Sequence, residues 1–178
     1  MSQSETSPHP RADLFVAPWR TNCRVTRLLV ANIPPAIWAK PVPGLPRRTI
    51  RMLAAHLHNA RSRWIKTLGV PLGIPRPPLV NLRTVTRREL LAALRQSDAA
   101  MESLIRLGVQ SGGEVPPTAA YVWRNLPLDV GHVLSYFVAH EAHHRGQLLL
   151  AARQLGAPLP KAITNGLWQW QVKAGRSD

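Results

Sequence analysis

Apolar residues recur every three or four positions in four stretches of the chain, which is the period of an α-helix with one buried face. The first stretch spans residues 12 to 32, and Pro18 is expected to lie in its first turns or to kink it. The second starts near Thr49, a suitable N-cap, and ends at Gly69. Its apolar positions are Leu53, Leu57, Ala60, Trp64 and Leu68. Both stretches are predicted to be helices.

Capping signals predict the beginnings of two further helices. Thr86 and Glu89 have the spacing of a capping box, in which each side chain bonds the backbone amide of the other residue. The fourth helix is expected to begin between Pro127 and Asp129, since proline and aspartate are both favoured in a first turn. It should continue to Leu155, where Gly156 follows.

Proline-rich loops separate these stretches, and none of the longer segments has the period-two alternation of a strand. The pattern therefore predicts an all-α protein, a four-helix bundle. Bundles of this kind commonly carry metal ligands on facing helices.

The chain has 178 residues, enough for one domain without disulfides. We expect a flexible tail over residues 1–11 and a single domain over 12–178. The polar N-terminus lacks the apolar segment of a signal peptide, and no apolar run reaches membrane-spanning length. Cys23 is the single cysteine and excludes an internal disulfide. These features favour a cytoplasmic protein.

The 23 basic residues outnumber the 9 acidic ones, which leaves a nucleic-acid-associated protein as an alternative. Most of the basic residues are arginines, but they are scattered along the chain rather than gathered in a tract with interleaved aromatics. The scatter argues against nucleic acid as a partner.

Histidines supply the candidate chemistry. His140 and His144 lie one turn apart in the fourth helix, in one stripe with Val133, Phe137 and Leu148, so both are expected to face the interior and to reach one ion. His143 falls on the flank of that stripe. In the second helix, His56 lies on the inner edge and His58 projects nearly opposite. The spacing therefore predicts a divalent metal site of His56, His140 and His144.

The letters from His140 to His144 also satisfy H-E-x-x-H, the signature of zinc proteases in which the glutamate is the general base. Such proteases need a further ligand downstream. Asp178, at the end of the chain, is the only acidic residue or histidine after His144. A protease is therefore disfavoured, although Glu141 stays a candidate base or second-sphere partner of the metal.

Two long motifs in the right order resemble the DinB/YfiT-like family of metal-dependent enzymes. They run from Tyr136 to Gln147 and from Ala55 to Trp64, with weaker matches at 152–156, 166–170 and 94–97. The resemblance implies a four-helix bundle, often dimeric, whose metal is bound by His56, His140 and His144. Relatives include thiol S-transferases that use low-molecular-weight thiols and a thiol-dependent maleylpyruvate isomerase.

A metal-dependent thiol S-transferase or hydrolase acting on a small molecule is therefore the expected function. Zn, Ni or Fe would suit the imidazoles, with a low-molecular-weight thiol as a candidate cosubstrate. A non-catalytic metal-binding bundle is the other alternative, beside a basic nucleic-acid-associated protein. Candidates for the second sphere or for substrate binding are Arg63, Glu141, His143 and Gln147. A homodimer is expected and a membrane partner is not.

Overall fold

Four long helices make up most of the computed structural model, which describes residues 10–175. They are α1 (Pro10–Asn32), α2 (Ile50–Trp64), α3 (Arg87–Gln110) and α4 (Val130–Gln154), followed by the short helices α5 (Lys161–Gly166) and α6 (Trp170–Ala174). The all-α class predicted from the sequence is confirmed. Residues 1–9 of the predicted tail, and residues 176–178, lie outside the described residues. None of the helices between residues 10 and 175 is long and apolar enough to cross a membrane.

Three helices begin where the capping signals predicted. The Thr49 hydroxyl accepts a hydrogen bond from the amide of Met52 (3.2 Å) at the start of α2. The capping box of Thr86 and Glu89 is complete at the start of α3. The Asp129 carboxylate accepts from the amide of His132 (3.0 Å) at the start of α4. These side chains bind amides that the first helical turn leaves without partners.

The helix α1 continues through Pro18, which lies well inside the helix and not in its first turns. Proline removes one backbone hydrogen bond and crowds the preceding turn. Here Leu14 and Ala17 are exposed, so water can reach that turn, whereas Val16 and Trp19 are buried in the core. Packing of the buried face therefore maintains the helix.

A layer of buried polar side chains divides the interior into two apolar clusters. The first apolar cluster contains Leu29, Leu57, Leu94 and Leu148, and the second contains Trp19, Leu68, Met101 and Phe137. The chain passes from the first cluster to the second along α2 and α3, and in the opposite direction along α1 and α4. Because α2 and α3 are therefore parallel, a long connection must join them.

That connection starts with a π-helical turn (Ile65–Gly69) and a 3₁₀ turn (Val70–Leu72), and then returns alongside α2. The Ser62 hydroxyl donates to the carbonyl of Pro77 (2.6 Å), and the His58 ring bonds the carbonyl of Pro78 (2.8 Å). His58 is fully buried, and its other ring nitrogen lies 3.1 Å from the hydroxyl of Ser97. It thus anchors the connection and has no part in a site with His56.

A short β-hairpin stands where the sequence predicted only a loop. Strands β1 (Pro41–Val42) and β2 (Leu45–Thr49) pair antiparallel, with Val42 opposite Leu45. Pro43 and Gly44 form the turn, and Gly44 has a φ of 77°. A type II turn favours proline followed by a glycine with positive φ. The strands are too short for an alternating pattern to be recognised.

The C-terminal segment packs on α1 through a buried leucine, while Trp168 stays at the surface. Leu167 is buried against the first apolar cluster, whereas the Trp168 side chain is 84% exposed. The Arg24 guanidinium donates to the carbonyl of Lys173 (2.7 Å) in α6. A buried leucine and a backbone contact therefore attach this segment.

Candidate metal centre

Three imidazoles meet where α2 and α4 lie side by side. The Nε2 atoms of His140 and His144, one turn apart on α4, are separated by 3.2 Å. The Nε2 atom of His56, on α2, lies 3.3 Å from that of His140. One ring nitrogen from each residue lies within 4.8 Å of the other two. We call His56, His140 and His144 the histidine cluster.

Neutral tautomers cannot give each contact within the cluster a proton of its own. Gln147 accepts a hydrogen bond from Nδ1 of His144 (2.8 Å), so the lone pair of neutral His144 is on Nε2. His140 contacts its two neighbours through the same Nε2 atom. A hydrogen on this atom could only be shared between the two neighbours as a weaker three-centre bond, and a lone pair there would face the lone pair of His144. A cation shared by the three nitrogens would satisfy them all.

The spacing of the nitrogens fits such a cation. Two imidazole nitrogens bound at about 2.0–2.1 Å to a tetrahedral zinc ion lie about 3.4 Å apart. The distances of 3.2 and 3.3 Å in the cluster are close to that value. The contact from Gln147 to Nδ1 of His144 is the outer hydrogen bond that commonly orients a metal-binding histidine. The donor set is therefore compatible with a divalent metal.

Electrostatics keep the cluster in the form that binds metals. Burial and the neighbouring His144 and His140 lower the pKa of His56 to about 4. Burial also lowers the pKa of His140 and that of His144, although the hydrogen bond that His144 donates to Gln147 partly opposes the shift of His144. The rings are therefore neutral at physiological pH, and metal ions bind neutral imidazole.

A pocket of about 440 Å³ opens beside His56 and His140. Its wall includes four aromatic side chains besides the histidines: Trp64 from α2, Tyr136 from α4, and Tyr121 and Trp123 from the connection between α3 and α4. The Tyr136 ring stacks on His140, with centroids 6.1 Å apart and 14° between the planes. A small molecule in this pocket would lie against the histidine cluster.

The family can be identified at this point. A family model matches residues 1–173. The chain belongs to the DinB family. No curated protein and no solved structure matches the chain in the corresponding comparisons.

In this DinB-family protein, His140 and His144 do not face the interior as expected. Both are half-buried at the boundary between the core and the surface. Their neighbours Glu141 and Arg145 take the interior positions on α4, in line with Phe137 and Leu148. The three histidines were brought together as predicted, but α4 is rotated about its axis relative to the apolar stripe inferred from the sequence.

Glu141 does not occupy the place expected of a base or of a second-sphere partner of the metal. Its carboxylate is fully buried and accepts hydrogen bonds from Arg61 (2.6 Å), Asn22 (2.8 Å) and Thr26 (2.8 Å). Burial alone would raise the pKa of Glu141, but the Arg61 guanidinium outweighs it and lowers that pKa. The carboxylate therefore stays ionised and bound within the core, with no hydrogen bond to the histidine cluster in residues 10–175.

These groups belong to a larger set of buried side chains between the two apolar clusters, which we call the polar layer. Arg61 also bonds the Asp98 carboxylate, and its guanidinium lies 4.9 Å from the centroid of the Trp19 ring. Arg145 donates to Asn22 and Thr26 (both 2.8 Å). The polar layer consists of Asn22, Thr26, Arg61, Ser97, Asp98, Glu141 and Arg145.

The remaining candidate residues have different environments. Gln147 contacts His144 directly, and Arg63 lines the pocket. His143 is exposed, although its ring centroid lies 5.1 Å from that of His144. Ser97 donates to the carbonyl of Leu94 (3.0 Å), which leaves it in the polar layer and away from the histidine cluster.

Sequence reasoning missed most of the pocket wall. Trp64 was interpreted only as a core position of the second helix. Tyr136 precedes His140 by four residues and so shares its face, a spacing that could have identified it. Trp123 has no such signal, because it lies in an irregular connection whose path depends on the whole fold.

Proposed function

We propose that this DinB-family protein is a divalent-metal-dependent enzyme that acts on a small molecule. His56, His140 and His144 would bind the metal, with Gln147 fixing the tautomer of His144. The observation that carries the proposal is the convergence of three ring nitrogens, too few of which can carry a proton to bond one another, at the side of a pocket of about 440 Å³.

Three neutral nitrogen ligands leave coordination positions open, as in catalytic rather than closed structural sites. A metal bound there would acidify a coordinated water or thiol and act as a Lewis acid. The chain itself supplies the pocket that orients the substrate and the aromatic wall that excludes water from it. With Glu141 bound in the polar layer, no carboxylate of residues 10–175 lines the pocket, so no carboxylate base is part of the proposal.

Among reactions, we propose thiol S-transfer with a low-molecular-weight thiol, or hydrolysis. The support for thiol transfer is the resemblance of the two histidine motifs to thiol-dependent relatives. The support for either reaction over a non-catalytic metal bundle is the pocket, since a purely structural metal needs none. Zn, Ni and Fe suit the ligand set equally.

A nucleic-acid-associated protein finds less support in the environment of the arginines. Arg61 and Arg145 are buried in the polar layer, and Arg20 and Arg106 pair with Glu102. These side chains do not form the exposed basic surface that phosphate binding requires. The homodimer and the cytoplasmic location stay predictions.

Activity assays on metal-loaded protein would test the proposal. Consumption of a small electrophile with and without a low-molecular-weight thiol should show turnover that a chelator abolishes and that added metal restores. Dependence on the thiol identifies transfer, and independence from it identifies hydrolysis. His56→Ala should abolish turnover, whereas His132→Ala, at an exposed histidine near the start of α4, should not. Turnover that survives both the chelator and His56→Ala would contradict the proposal.

A further inference from the structure

The pocket beside the histidine cluster has an unusually aromatic wall. The Trp64 ring is its centre, with ring centroids 5.6 Å from Tyr136, 6.0 Å from Tyr121 and 6.2 Å from Trp123. Trp123 is 69% exposed although it is a large apolar side chain. Exposed aromatic groups around a concavity mark a surface for a ligand. They provide flat faces on which an apolar group can stack.

Charge at the pocket has one sign. Arg63 is the one charged residue in the wall, apart from the neutral histidines, and no carboxylate lines it. Among residues 10–175, the Arg63 guanidinium has no hydrogen bond or ion pair. The nearby Glu141 is already bound by Arg61 and Arg145. The pocket therefore offers an arginine that lacks a counter-ion.

A second guanidinium lies near the cluster. Arg48, on β2, is exposed, and its guanidinium has no hydrogen bond or ion pair in the described part of the chain. It lies two residues before the start of α2, the helix that carries His56 and Arg63. The field around the pocket is thus positive and favours an anion.

We infer that the substrate is an anion with a flat aromatic body, an aryl carboxylate. This inference rests on the proposed function and names its substrate class. The apolar body stacks in the aromatic wall formed by Trp64, Trp123 and Tyr136, and the carboxylate binds Arg63. Arg48 lies outside the wall and adds attraction without contact. In this arrangement the atoms next to the carboxylate come to lie beside His56 and His140.

Aromatic walls also bind quaternary ammonium groups through the ring faces. Two guanidinium groups and the absence of a carboxylate in the wall oppose a cation here. An aryl trimethylammonium compound therefore serves as the contrary probe.

Binding of four matched probes would test the inference. Calorimetric titrations would compare phenylacetate, its neutral amide, phenyltrimethylammonium and acetate, with metal-loaded and with metal-free protein. We expect phenylacetate to bind most tightly in both forms. The amide loses the charge-assisted hydrogen bonds, and acetate loses the stacking, so each should bind roughly tenfold more weakly or worse.

Matched variants separate the contributions. Arg63→Gln should weaken phenylacetate binding roughly tenfold and leave the amide unchanged, and Arg48→Gln should have a smaller effect. Lys66→Gln and Arg47→Gln remove a charge from nearby exposed residues outside the wall and should change little. Trp123→Ala should weaken phenylacetate, whereas Trp168→Ala, at another exposed tryptophan, should not.

The inference would be overturned if the amide bound as tightly as phenylacetate, or if the cation bound more tightly. It would also be overturned if Arg63→Gln and Lys66→Gln had equal effects, or if no probe bound. Its failure is distinguishable from failure of the proposed function. Protein that binds no metal but selects phenylacetate retains the substrate class and loses the metal enzyme. Protein that binds metal but does not prefer the anion retains the metal site and loses the proposed substrate class.

Discussion

The polar layer and the histidine cluster lie side by side on α2 and α4, and they differ in how their polar atoms are satisfied. In the polar layer, Glu141 accepts from side chains of two other helices, and Arg61 bonds both Glu141 and Asp98. In the histidine cluster, three ring nitrogens converge, and neutral tautomers cannot give each contact a proton of its own. The polar atoms of the layer find their hydrogen-bond partners within the protein, whereas the nitrogens of the histidine cluster need a bound cation to satisfy them.

This difference separates a structural role from a functional one. Buried charges are tolerated when every member has its partners, and removing one partner leaves an uncompensated charge. The half-buried histidines are neutral, so the fold tolerates them without a counter-charge, and their lone pairs remain available to a ligand. Each histidine of α4 is followed directly by a member of the polar layer: Glu141 follows His140, and Arg145 follows His144.

The largest effect on stability is expected from the polar layer. Arg61→Ala leaves Glu141 without its closest cation and Asp98 with Arg27 alone, and it should lower the free energy of unfolding by about 3–5 kcal/mol. Arg63→Ala, two residues further along α2 and exposed, should change it by about 0.5 kcal/mol or less. Urea denaturation of the metal-free proteins would measure both.

If Arg61→Ala does not fold, Arg61→Lys provides the second variant, because it keeps the charge and loses the planar fork. It should be less stable than the wild type and more stable than Arg61→Ala. A free energy of unfolding for either variant equal to that of Arg63→Ala would show that the polar layer is not what holds the four helices together.

An intermediate effect is expected where Gln147 supports the histidine cluster. Gln147→Ala removes the acceptor for Nδ1 of His144 and should weaken metal binding by roughly 10–100-fold, the usual cost of losing such an outer contact. Stability without metal should barely change. Gln154→Ala, at an exposed glutamine on the same helix, is the control. Competition with a chromophoric chelator measures the affinities; equal values for both variants would refute the role given to Gln147.

The smallest effect on stability is expected at Glu102, a carboxylate near the surface whose hydrogen-bond partners lie within the protein. Burial alone would raise the pKa of Glu102, but hydrogen bonds from Arg20 and Arg106 outweigh it and lower that pKa. The resulting stability is present above the pKa of the unfolded carboxyl group and is lost as the pH falls through the folded value. Glu102→Gln should therefore cost about 1 kcal/mol or less at neutral pH and less again in acid.

Thermal unfolding at neutral pH and in acid would check the sign of the effect, with Glu114→Gln at an exposed glutamate as the control. A larger loss for Glu102→Gln in acid than at neutral pH would be inconsistent with the lowered pKa. A loss as large as that of Arg61→Ala would remove the distinction between buried and surface groups.

Local chemistry explains which parts of the fold could be predicted. The starts of α2, α3 and α4 follow from Thr49, the Thr86 and Glu89 box, and Asp129, since each side chain acts within four residues of itself. The spacing of His140 and His144 is likewise a property of a single helix. The hairpin was missed because its pairing rests on one turn and few residues.

The orientation of α4 could not be predicted, because hydrophobic periodicity treats Glu141 and Arg145 as surface residues. Their burial depends on Asn22, Thr26 and Arg61, which come from two other helices. The pocket wall depends in the same way on where the connection between α3 and α4 places Trp123. Such features follow from tertiary contacts that one sequence segment does not contain.

Metal content is the most direct test of the histidine cluster. Elemental analysis would compare tag-free wild type, His144→Ala and His143→Ala after supply of divalent metals and removal of unbound ions. The exposed His143 is the matched control beside the cluster. We predict a stoichiometric divalent metal in the wild type and in His143→Ala, and its loss in His144→Ala. A wild type without bound metal, or a His144→Ala variant with unchanged metal content, would contradict the assignment of the site.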